Sequence, residues 1–180
     1  YAGCHCILIC DQRIDMNTKK LTALALLTTI SLTIFLLEGM LPPLIPIPGI
    51  KPGLANIVTL IVLVWFGAKD AVLVTITRVL LGFFFAGTVM SLTYSLLGSF
   101  LSLTVMTVLH YFLKKKYIYI TSIAGAIFHN IGQIIAAVLF TSTPYLVSYL
   151  PVLMISGIVT GLFTGLCAYF LWKKFPSIRI

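Results

Sequence analysis

Charge is scarce in this chain, and negative charge is scarcest. Only 9% of its 180 residues are charged, and four of those are acidic. An ordinary soluble domain carries about a quarter charged residues. At 9% no water-facing surface can be dressed, which excludes a soluble globular domain and leaves a polytopic membrane protein. Four carboxylates also exclude chemistry that needs several. No paired-aspartate motif for a magnesium diphosphate is present, and Asp11, Asp15 and Asp70 assemble no Ser/His/Asp arrangement. There is no G-x-x-x-x-G-K-[ST] phosphate loop, so the chain does not hydrolyse ATP itself. We therefore expect no catalytic residue, no metal ligand and no cofactor, and a protein that is not an enzyme.

Cysteine is sparse and uneven. Cys4, Cys6 and Cys10 fall in "YAGCHCILICDQRID", and Cys167 sits alone in an apolar run, where a small packing role is expected. The spacing in "CHCILIC" lacks the second Cys or His pair of a zinc site. "YAGC" lacks the charged and apolar stretches that precede a lipid-attachment box. Met16, followed by Asn-Thr-Lys-Lys, reads as a natural start, so residues 1–15 are expected to be a non-native or disordered tail. Residues 16–180 are then a single membrane domain.

Apolar sequence is abundant: 60% of the residues are hydrophobic and the mean hydropathy is +1.12. A spanning helix needs roughly 20 such residues. Runs at Leu21–Leu37, Leu54–Ala68, Ala71–Ala86, Ser91–Leu113, Ile118–Thr141 and Leu146–Trp172 predict six transmembrane helices. Pro151 predicts a kink or a later start in the sixth. These unbroken runs without alternation exclude a β-barrel. The net charge of +8 sits at the run edges and builds no basic face, which argues against a nucleic-acid partner. With both termini cytoplasmic, Lys19, Lys20, Lys69, Lys114–Lys116, Lys173, Lys174 and Arg179 share the inner side, and Lys51 alone lies outside.

Within this apolar sequence, "AGAIFHNIGQIIAA" places His129, Asn130 and Gln133 in the middle of the fifth run. Positions four apart share a helix face, so His129 and Gln133 point together, while Asn130 is rotated about 100° away. Asn130 serves another neighbour or holds the His129 tautomer. Arg78 interrupts the third run near mid-depth. It stays charged, so it must face the bundle interior and find an acceptor. Either Glu38 or backbone carbonyls satisfy it, or it receives an anionic group of a ligand. Asp70 is expected to pair with Lys69 or to cap the third helix.

Asn56, Lys51 and Glu38 join the outer half of this cluster, and Phe83, Phe84, Phe85, Tyr94 and Tyr145 offer an aromatic wall. Convergent polar groups beside such a wall predict a small-molecule pocket. "LPPLIPIPGIKPG" (Leu41–Gly53) is either a stiff outer linker or, as its apolar character favours, a lid. Small residues recur at fourfold spacing: Ala25, Thr29 and Thr33; Ser91, Ser95 and Ser99, with Gly98 and Ser102 beside them; Gly157, Gly161 and Gly165. Each stripe serves internal packing or a membrane partner.

Five segments then carry a resemblance: "PGIKPGLANIVTL", "TRVLLG", "YSLLGSFLSLTVM", "AGAIFHNIGQ" and "YLPVLMISGIVTGLFTG". In order and spacing the chain from Lys19 to Lys174 resembles the Gx transporter family, also called heptaprenyl diphosphate synthase component I. The resemblance implies a six-helix bundle like the S components of energy-coupling factor transporters, in a bacterial inner membrane. It further implies capture of a vitamin-like or isoprenoid-related solute from outside, powered by a transmembrane T subunit and two ATPases. Ala25, Thr29 and Thr33 would then meet the T subunit, with Thr where Ala is more usual. The alternative is a non-catalytic membrane accessory of polyprenyl diphosphate or quinone synthesis. A third reading is a scaffold whose polar residues satisfy one another.

Overall fold

Hydrocarbon offers the backbone no hydrogen-bond partner, so an apolar run must close its own bonds as helix. The computed structural model shows that outcome. It describes residues 3–40, 51, 53–86, 88–113 and 117–174, with side chains of the first helix from Thr18 onward. The elements are α1 (Gly3–Met40), α2 (Asn56–Trp65), α3 (Ala68–Ala86), α4 (Val89–Leu113), α5 (Ile118–Thr141), a 3-10 segment (Pro144–Tyr149) and α6 (Leu150–Lys174). The backbone of α1 begins inside the segment 1–15 expected as a tail. Residues 41–50 and 52 of the expected lid, and Lys114–Lys116, lie outside the described residues.

Four of these stretches are long and apolar enough to cross a membrane: Thr18–Met40, Val89–Leu113, Ile118–Thr141 and Pro144–Lys174. The second expected span is corrected. Instead of Leu54–Ala68, α2 has 10 residues, about 15 Å at 1.5 Å per residue, or half of a roughly 30 Å hydrocarbon core. It is apolar on all sides, the mark of an enclosed helix, and Val58 and Leu60–Val64 are buried. The third, α3, is 19 residues long but carries Lys69, Asp70 and Arg78. The sixth helix starts later than Leu146, because the 3-10 segment takes up Pro144–Tyr149. Pro151 then falls in the first turn of α6, where its missing N–H leaves no bond unmade.

Glycines set how closely the long helices approach. A Cβ on Gly132 of α5 would lie 2.8 Å from Gly98 Cα of α4. Cβ atoms on Gly157, Gly161 and Gly165 of α6 would meet Asn130 Nδ2, Ile123 Cα and Tyr119 Cα of α5 at 2.7–2.8 Å. That stripe therefore serves internal packing. Ser122 and Thr164 add a 2.9 Å hydroxyl pair across the same α5–α6 contact. Ala25, Thr29 and Thr33 instead face outward from α1, with both threonine hydroxyls bonded back to their own helix.

The main core lies towards one end, where Leu60, Val62, Val74, Met106, Ile118 and Ala168 meet. Asp70 is there too. Its partner is Lys20 of α1 at 2.8 Å, not the adjacent Lys69, because the side chain of Asp70 faces back across the α1–α3 contact. We refer to this as the lysine-rich end.

Gly132→Ala must push two backbones apart, since its new methyl has no flexible side chain to displace. We expect a loss of about 1–3 kcal/mol. Thermal unfolding of the detergent-solubilised chain checks this, and a variant melting with the wild type would show that the α4–α5 contact is looser than described.

Candidate functional site

The site forms where the middle of α3, α4 and α5 meets the far end of α1 and the start of α2. Arg78 is placed by α3 and is 2% exposed. Its Nη2 donates to Ser99 Oγ of α4 at 2.8 Å, while its Nε has no protein partner. Glu38 lies near enough to interact with it electrostatically, yet no direct ion pair joins the two. The carboxylate is engaged elsewhere: it accepts the backbone N–H of Leu54 and of Ala55, just before α2. Ala55 has no side chain able to cap, so Glu38 does so from another helix and holds the positive end of α2. The acceptor Arg78 reaches is thus a serine hydroxyl, where Glu38 or backbone carbonyls were expected.

His129 and Gln133 share a face of α5 as their spacing predicts, with Gln133 Nε2 3.0 Å from His129 Nε2. The imidazole lies between two glycines. A Cβ on Gly53 would come within 2.9 Å of its Cδ2, and one on Gly98 within 3.0 Å of Nδ1. Gly53 also has φ +81°, so both its backbone conformation and its space require glycine. Lys51 Nζ donates to Phe35 O at 3.2 Å and stands 3.4 Å from the centre of the Phe35 ring. Desolvation pulls the Lys51 ammonium below the ordinary lysine value; nearby Glu38 opposes that pull and Arg78 adds to it.

These groups enclose a cavity of about 10 Å³ lined by Phe35, Glu38, Lys51, Gly53, Arg78, Ser95, Ser99, His129 and Gln133. That is room for about one water. The cavity gathers two basic side chains, Lys51 and Arg78, around one acidic side chain, Glu38. Buried polar groups are nearly always paired. Here Arg78 Nε, Asn56 Nδ2 and Gln133 Oε1 have no protein partner.

With this geometry in hand, residues 27–171 match the family model described as heptaprenyl diphosphate synthase component I. The chain belongs to that family. No curated protein and no solved structure matches it.

In this family member the other expected site residues divide. Glu38, Lys51, Arg78, His129 and Gln133 line one cavity. Asn56 lies beside it, 3.3 Å from the position of a Cβ on Gly53. Asn130 turns away and donates from Nδ2 to Leu153 O of α6 at 2.7 Å. Of its two expected roles it takes the first, serving a different neighbour. The expected aromatic wall is corrected: Phe84, Phe85 and Tyr145 are 80%, 67% and 72% exposed. Three consecutive phenylalanines on a helix cannot all face inward, and the ring that lines the cavity is Phe35. Its ring packs against Gly82, where a Cβ would come within 2.6 Å of Cε1. Sequence reasoning missed Phe35, Gly53, Ser95 and Ser99 as site residues. The serine repeat was visible, but it carries the same spacing as a packing stripe.

Arg78→Met should leave Glu38 with Lys51 alone as a compensating charge, and Glu38→Gln should remove the carboxylate that offsets Arg78. Each alone lowers stability, and the pair together loses less than their sum, by about 0.5–3 kcal/mol. Melting temperatures of the four chains decide it. Additivity within about 0.5 kcal/mol would mean the two charges are energetically separate.

Proposed function

We propose that this chain is a non-catalytic membrane subunit that captures a small anionic solute at the Arg78 site. The observation that carries the reading is Arg78 Nε, a buried donor without a protein partner, in a cavity that also gathers Lys51. A carboxylate or phosphate oxygen accepts strongly from a guanidinium N–H. A cavity of about 10 Å³ is far below the roughly 300–1,000 Å³ of a small-molecule site. Capture therefore requires Lys51 and Gly53 to lift away from Phe35 and His129, which makes this a closed state. On this reading α2 and α3 are embedded with the four longer helices in an S-component-like bundle, with both termini cytoplasmic. A motor supplied by a T subunit and two ATPases fits a chain with no phosphate loop, and Ala25, Thr29 and Thr33 form an exposed face for a membrane partner.

A second reading, an accessory component of polyprenyl diphosphate synthesis, has its own support in the family's description. It is also favoured by an apolar groove of about 480 Å³ between α3 and α4.

Native mass spectrometry of the purified chain tests the first reading. We expect a co-purified small acid, reduced at least about tenfold in Arg78→Gln, a change of one buried charged hydrogen-bonding group, while the variant still melts cooperatively. A wild-type chain that binds no carboxylate or phosphate solute would overturn it.

A further inference from the structure

The cavity around Arg78 also contains a buried acceptor without a partner. Arg78 Nε can only donate, and Gln133 Oε1 can only accept. Both residues line the cavity, and they are 2% and 1% exposed. An anion answers the first group and leaves the second unmet.

Which atom of the Gln133 amide is free follows from the imidazole beside it. His129 Nδ1 faces the Gly98 carbonyl, without a fully formed hydrogen bond. A carbonyl only accepts, so a neutral imidazole carries its proton on Nδ1 there and leaves Nε2 as the acceptor. Gln133 must then present its NH2 group to Nε2, 3.0 Å away. That leaves Oε1 as the open end of the amide. The remaining polar groups of the lining have other tasks. Lys51 Nζ donates to Phe35 O, Arg78 Nη2 donates to Ser99 Oγ, and Glu38 accepts the amides of Leu54 and Ala55. Ser95 carries a hydroxyl that donates or accepts, so it favours neither kind of solute group.

A solute that brings a donor of its own answers both groups. The cavity has about 10 Å³, room for about one water, so the donor and the acid group must be neighbours on the solute. A hydroxyl on the carbon next to a carboxylate has that spacing. An ammonium in its place would stand against both Lys51 and Arg78. Opening the site leaves this pair in position. Lys51 and Gly53 precede α2, whereas Arg78 and Gln133 stand on α3 and α5, and α5 is fixed against α4 where Gly132 meets Gly98.

We infer that Gln133 determines the specificity of this site and that the solute is an α-hydroxy acid, its hydroxyl donating to Gln133 Oε1 and its carboxylate accepting from Arg78 Nε. The inference rests on the proposed capture of an anion at Arg78 and names the class of that anion. Isothermal titration of the full purified chain in detergent compares glycolate with propionate, which match in size and differ by a hydroxyl for a methyl. Glycolate should bind at least about tenfold more tightly, because propionate leaves a buried acceptor unmet. Gln133→Met keeps a side chain of similar length without the acceptor. It should bind propionate as the wild type does and lose the preference for glycolate. Equal binding of the two acids by the wild type would overturn the inference, whether or not the variant folds, while leaving Arg78 as an anion site. A preference that survives in Gln133→Met would overturn it too, since the hydroxyl would then be read elsewhere. Binding of neither acid would also overturn it, and inorganic phosphate in the same titration would then decide whether the Arg78 reading falls with it.

Discussion

Arg78 is the constraint around which the bundle is arranged. A guanidinium does not neutralise itself by losing a proton, as a buried lysine or carboxylate can. At mid-depth in an apolar helix it must therefore be enclosed by other helices and given acceptors. Ser99 supplies one from α4, and Glu38 supplies a compensating charge from α1. That carboxylate in turn accepts the amides that open α2. The chain of dependence runs from one cation to four elements. It also accounts for the placement of α2, a helix too short to cross a membrane, inside the bundle.

The other organiser is α5, whose sequence uses each face for a different task. His129 and Gln133, one turn apart, face the cavity. Asn130, about 100° around, ties α5 to the carbonyl of Leu153 on α6. Gly132 faces α4 and brings the two backbones into contact. Three adjacent tasks on one helix explain why polar side chains and glycines are interleaved in "AGAIFHNIGQIIAA". The imidazole is held on both sides by glycine. Close backbone approach at Gly98 therefore shapes the site as well as the packing.

What could be read beforehand follows physical range. Helix number, and the joint orientation of His129 and Gln133, depend on the period of a helix and were legible in residue order. The α6 glycine stripe was legible as a contact, but its partner was not. The Lys20–Asp70 pair and the remote cap by Glu38 join residues far apart in the chain, and nothing local signals either. The length of α2 misled for another reason. Hydropathy measures how apolar a segment is, and a helix enclosed by protein is as apolar as one enclosed by lipid. The phenylalanine run misled similarly, since rings facing lipid and rings facing a ligand have the same composition.

Ser99 lines both the polar cavity and the apolar groove. Its hydroxyl is turned to Arg78, so the groove receives only the carbon face of the residue. An alanine there would keep the groove apolar but leave a guanidinium N–H without its acceptor. A larger apolar residue would satisfy neither side, because it would fill the groove and still offer Arg78 no oxygen. Serine is small enough for the slot and polar enough for the cation. A residue first legible as part of a packing repeat thus serves a buried charge and a hydrocarbon surface at once.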